Sequence, residues 1–162
     1  MNYTVFRSDL MSGTKQPADL VSLRYYVGDE QAEVENGVIV ELGAYEKDAR
    51  EVRKATAATS ESDLDNCAIV AGVEVMYDER KRNLDEFINE KGKATRGYLL
   101  RTNNIFSVTA EGFVGKSVPA VGASVGIGAN GKINASGTGL GKCIAIENAG
   151  RYTYYVIEIK KA

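Results

Sequence analysis

Ten of the chain's 17 glycines fall within residues 112–150, with β-branched side chains recurring between them. Glycine disfavours helix interiors and supplies the backbone freedom that tight turns need. Val118, Val121, Val125, Ile127, Ile133, Leu140, Ile144 and Ile146 supply short apolar pieces of the kind that pack on a sheet. This stretch therefore reads as several short strands joined by tight turns. Asn148-Ala149-Gly150 makes a last turn, and residues 151–160 form a C-terminal strand. Period-two geometry places Tyr155, Ile157 and Ile159 on one face and Glu158 and Lys160 on the other.

Upstream the pattern stays extended. Asn36-Gly37 between β-formers predicts a two-residue type I′ turn, because both central positions of that turn need positive φ. A strand follows over residues 38–42, another near 50–56, and then a loop to about 66. Residues 68–77 read as a buried strand with Gly72 as a bulge. The one helical pattern follows: Asp78 as cap, Leu84, Phe87 and Ile88 on one face, Gly92 as stop. Strands are expected over 97–101, 105–110 and 112–114, with Asn103-Asn104 as a turn. Residues 1–28 read as an N-terminal arm, with turn signals in Ser8-Asp9 and in residues 12–17 between thin apolar patches. The expected fold is mainly β: a small β-barrel or β-sandwich over 29–162 with one short α-helix, preceded by the extended arm.

The chain has 162 residues, enough to bury a core without a disulfide or metal staple. It contains no histidine and no tryptophan. Absent histidine removes the commonest general base, the commonest metal ligand and the usual activator of a Ser or Cys nucleophile. Cys67 and Cys143 stand far apart with no CxxC, so they read as reduced core residues and not as zinc ligands. Met1–Arg7 lacks the apolar run of a signal peptide, and no stretch is apolar and long enough to span a membrane as a helix. Net charge is −2, but residues 1–111 carry 14 Lys/Arg against 20 Asp/Glu, and residues 112–162 carry 6 against 2. Such a division suits solvated faces or complementary contact between subunits.

Three motifs bear on chemistry. Residues 126–131 are a formal GxGxxG, and reading on to Lys132 gives GxxxxGK. A phosphate loop needs a helix next, whereas Ile133-Asn134-Ala135-Ser136-Gly137 cannot start one, so a turn at Asn130-Gly131 is expected. Glu61, Asp63 and Asp65 lack the glycine and twelfth-position glutamate of a calcium loop. Arg80, Lys81, Arg82, Lys91, Lys93, Arg96 and Arg101 lie near Phe87 and Tyr98, but interleaved carboxylates cancel much of their field, so the stretch is a weak nucleic-acid signal. No cofactor, metal or catalytic group is expected.

The order of features resembles that of head-decoration (cement) proteins of tailed bacteriophages. The resemblance rests on Val34-Glu35-Asn36-Gly37-Val38-Ile39-Val40, Val75-Met76-Tyr77-Asp78-Glu79, and Asn89-Glu90-Lys91-Gly92-Lys93 with Arg96-Gly97-Tyr98. It continues through Phe106-Ser107-Val108-Thr109, the glycine-rich segment introduced by Val121-Gly122, and the tyrosine-rich last strand, covering residues 30–160. It implies a non-enzymatic structural protein made in the host cytoplasm. Such a protein coats the capsid exterior, binds the major capsid protein and bridges capsomers as a homo-oligomer, with a trimer favoured. No membrane or direct nucleic-acid partner is implied. Tyr3, Val5, Phe6, Arg7 and Leu10 are then the expected capsid contacts, because an apolar arm needs a surface to cover. The alternative is a β-barrel binding module for single-stranded nucleic acid or carbohydrate.

Overall fold

The computed structural model describes residues 2–8, 19–78, 80–81 and 83–161. Strands β1 (Leu20–Val27), β2 (Glu30–Gln31), β3 (Ile39–Tyr45), β4 (Val52–Ala57), β5 (Cys67–Val70) and β6 (Thr95–Leu99) make one sheet in the order β2-β1-β4-β3-β5-β6. β1 also pairs with β6, from Leu20↔Tyr98 to Leu23↔Thr95, so five of these strands close into a barrel. β1–β4 is the parallel pair, registered from Ser22↔Val52 to Tyr25↔Ala55. Closure leaves these strands little free edge.

A second sheet runs β7-β11-β10-β8-β9, from β7 (Ile105–Val108), β8 (Ser124–Ile127), β9 (Ile133–Asn134), β10 (Gly141–Ala149) and β11 (Tyr152–Ile159). β11 lies between β7 and β10, with Ile157 opposite both Phe106 and Cys143. The glycine-rich stretch thus forms short strands and turns, as its composition requires.

The period of two explains how barrel and sheet join. Leu23, Val40, Leu42, Ala55, Ala68 and Val70 fill the barrel interior. Alternate residues Ile39, Cys67 and Ile69 point outward, into a second core with Phe106, Val125, Ile133, Cys143, Ile157 and Ile159. β5 is buried on both faces for this reason. The two sheets share this second core, which lies beside the barrel's own interior. Both cysteines are free and fully buried within it.

Several local expectations are corrected. Residues 20–27 of the expected arm form β1, a barrel strand. Asn36-Gly37 does turn the chain, with Gly37 at φ +84°, but Asn36 has no positive φ and Val34 bridges Asn89 instead of pairing with β3. Consecutive positive φ values occur instead at Asn130 (φ 56°) and Gly131 (φ 71°), and at Gly115 (φ 60°) and Lys116 (φ 57°). β5 stops at Val70, and residues 71–78 leave the sheet. Where a helix was expected after Asp78, the described residues form only a 3-10 turn, Leu84–Glu86, capped by Asn83. Three apolar residues did not outweigh six acidic and six basic side chains over residues 74–96, which leave no apolar stripe wide enough to hold a helix on the core.

Candidate functional site

Two of the five expected contact residues lie in the protein's own interior. Val5 and Phe6 are buried at 3% and 2% exposure, and Phe6 stacks on Phe106 with ring centroids 6.0 Å apart. Phe6 bridges Val108, the Arg7 amide donates to the Ser107 carbonyl (3.1 Å) and the Thr109 amide donates to the Val5 carbonyl (3.2 Å). These residues act as a short extra strand along the outer edge of β7. The Val5 and Phe6 side chains are therefore buried against the rest of the chain, Phe6 within the core shared with the second sheet. Tyr3 is half-buried, its amide donating to the Asp85 carbonyl, and the Arg7 guanidinium sits over the Tyr154 ring. Leu10 lies outside the described residues.

The chemical motifs are absorbed into structure. Lys132, the formal phosphate-loop lysine, holds the Glu35 carboxylate at 2.8 Å and donates to the Glu111 carbonyl. Glu35 also accepts from the Thr4 amide (2.7 Å) and hydroxyl (2.8 Å), so one carboxylate ties the N-terminal strand, the 34–37 turn and the second sheet together. Gly131 packs where a β-carbon would overlap the Ile39 carbonyl oxygen. In the acidic loop, Asp63 caps the Asp65 amide and Asp65 pairs with Lys161, whose hydrogen bond lowers the Asp65 pKa. No group of three or more metal-ligating side chains converges among the described residues. Burial first, then the charges of Glu41 and Asp63, push the Cys67 thiol up to about 11, so it is a poor nucleophile near neutral pH.

The surface that stands out is a groove of about 470 Å³ on the barrel. Its base is the start of β1 and β6, and its walls are the outgoing 72–77 and returning 87–94 parts of the β5–β6 connection. A buried amide network sets the distance between those walls. Asn36 donates to the Gly72 carbonyl (2.9 Å) and accepts from the Gly72 amide (2.8 Å). Asn89 donates to the Val34 carbonyl and to Asn36 (2.9 Å each), and the Thr95 hydroxyl donates to Asn89 (2.6 Å). Gly72 is required there, because a β-carbon would overlap Asn89 and Thr95 side-chain oxygens.

Above this pinned floor the chain turns apolar side chains to solvent. Val73, Val75 and Tyr77 are 59%, 53% and 90% exposed, and Leu20 adds to the same groove. Glu90 and Lys93 form an ion pair on the rim, which lowers the glutamate pKa and raises that of the lysine. The groove holds no activated nucleophile among its described residues; its chemistry is apolar contact framed by polar groups. The alternation in Val73-Glu74-Val75-Met76-Tyr77 was visible in the sequence. What the sequence did not supply was the end of the sheet at Val70, which turns the apolar side of that alternation to water.

The chain matches no family model, no characterised protein and no solved structure. No helix among the described residues is long and apolar enough to cross a membrane.

Proposed function

We propose that this chain is a structural protein that binds the outer surface of a phage capsid and stabilises the shell by bridging neighbouring capsomers. The observation that carries the reading is the row Val73, Val75 and Tyr77, held open to solvent on a braced groove. An apolar row rimmed by polar groups marks a macromolecular contact face, because exposing it costs free energy that only a partner returns. The shared core supports the same reading, since a rigid body transmits load between two bound neighbours. A bridging contact of ordinary size buries about 1,200–2,000 Å². The groove would supply the apolar centre of such a contact, and repetition by a trimer would multiply it.

The test is co-sedimentation with undecorated, expanded capsids of tailed phages. Val75→Asp and Tyr77→Asp should each weaken binding at least tenfold while leaving thermal stability within about 2 °C, as exposed positions do. Wild-type binding that survives both changes removes this face from the contact. Failure of the wild-type chain to bind any expanded shell removes the capsid reading itself. Light scattering that finds only monomer removes the trimer.

A second reading has one observation in its favour. The groove crosses two adjacent strands of a small closed barrel and the long loop beside them, a position that five-stranded barrels use for oligonucleotides and oligosaccharides. The balanced charge of residues 74–96 favours the capsid reading over an oligonucleotide.

A further inference from the structure

We infer that the slot along β7 that holds residues 2–8 is an exchange site, filled by the N-terminal strand of a second copy when copies are crowded together. The slot is defined by geometry. Its floor is the outer edge of β7, where the Phe6↔Val108 bridge is flanked by the Arg7-to-Ser107 and Val5-to-Thr109 backbone hydrogen bonds. Its anchor is Phe6, stacked on Phe106 at 6.0 Å and closed off from water. Its lock is the Glu35 carboxylate, which takes both Thr4 donors and is held from behind by Lys132.

These hydrogen bonds reach Glu35, Asp85, Ser107 and Thr109, residues far along the chain. Residues 9–18 stand between the strand and β1, and their sequence, Asp-Leu-Met-Ser-Gly-Thr-Lys-Gln-Pro-Ala, is mostly polar and small. A connection of that length can reach at most roughly 36–40 Å, far enough to serve the slot of a neighbouring molecule. A strand from another copy makes the same contacts as the chain's own, so exchange costs no interaction energy. Its occurrence is then set by concentration alone, rising as neighbours approach the effective concentration of the chain's own tether, roughly millimolar. Without any occupant, β7 would expose an unpaired edge, so the slot favours an occupied state whichever copy supplies the strand. The inference does not depend on the capsid reading and is tested without a shell.

The antiparallel register places Arg7 opposite Ser107. Facing residues of a hydrogen-bonded pair have Cα atoms about 5.5 Å apart, within disulfide reach. Full-length R7C and S107C are purified separately, one isotopically labelled, mixed across a concentration series up to roughly millimolar, incubated and oxidised. The buried native cysteines should leave the wild-type chain free of covalent species. The expected result is a disulfide between positions 7 and 107 of different chains, identified by peptide mass and growing with concentration. The doubly substituted R7C/S107C chain reports whether the two positions are in reach. An internal disulfide there, with no mixed-chain product at any concentration, overturns the exchange. Absence of both products overturns the slot as well. Mixed-chain product without an internal disulfide supports exchange outright.

Discussion

Replacing Phe6 with alanine asks whether residues 2–8 are core or a free arm. Phe6 is 2% exposed, packs on Phe106 and bridges Val108. Truncating a buried phenylalanine to alanine costs about 3–5 kcal/mol, the lost transfer energy plus the cavity left behind. For a chain of this size each kcal/mol moves the midpoint by about 2–4 °C, so thermal unfolding should fall by roughly 6–20 °C. One physical limit applies. Residues 2–8 lie at the end of the chain, so the protein can release the strand instead of keeping a cavity. The loss then stops at the docking free energy of the strand. Hydrogen exchange separates the two outcomes: release would speed exchange at the Arg7 and Thr109 amides while β11 stays protected. A midpoint within about 1 °C of wild type, with unchanged exchange at both amides, would refute the placement of Phe6 in the core.

Other consequences follow from the same packing. Gly131→Ala should lower stability by more than about 2 kcal/mol, since alanine would be strained at φ 71° and would meet the Ile39 carbonyl; urea unfolding reads it. Lys132→Met should cost about 1.5–3 kcal/mol by stripping the cation from Glu35, and Glu35→Gln in the same chain should recover part of that, measured as a double-mutant cycle. Cys67 and Cys143 should resist a thiol reagent at pH 8 in the native state and react fully in denaturant, because burial raises both thiols. The folded chain holds the Cys67 proton up to about 11, whereas the unfolded thiol loses it near 9; the unfolded state then binds fewer protons, so the Cys67 contribution to stability should fall as pH rises through that window. Titration with single-stranded oligonucleotides should show no salt-sensitive affinity.

Much of the architecture was legible because it depends on local pattern. The C-terminal strand, the β3 and β4 strands, the Asn103 turn and the strands of the glycine-rich stretch all follow from alternation and turn residues, whose physics is settled within a few positions. Most of the errors turn on tertiary partners, present or missing, that no local pattern contains. Asn36 favours a hairpin turn in isolation, but its amide is spent on Gly72 and Asn89, which fixes Val34 beside Asn89 and not beside β3. The residues after Val70 keep the alternation of a strand but find no neighbouring strand. The helix pattern lacks an apolar stripe wide enough to hold it on the core, and among the described residues only the turn Leu84–Glu86 forms, ahead of the Asn89 and Thr95 that the amide network fixes.

The burial of the N-terminal apolar residues has a related reason. Thin apolar content in a terminal segment means only that the segment needs a surface. Val5 and Phe6 find theirs on β7, where they close a sheet edge that the barrel cannot reach. Val73, Val75 and Tyr77 have the opposite history: they look like core and remain outside, on a connection that side-chain hydrogen bonds at Asn36, Asn89 and Thr95 brace against collapse. A loop free to relax would fold such residues inward, since burying each valine returns about 1.5–3 kcal/mol. In the proposed reading, buried amides that hold the row outward keep a contact face ready, which is why the groove is where binding to a shell is tested.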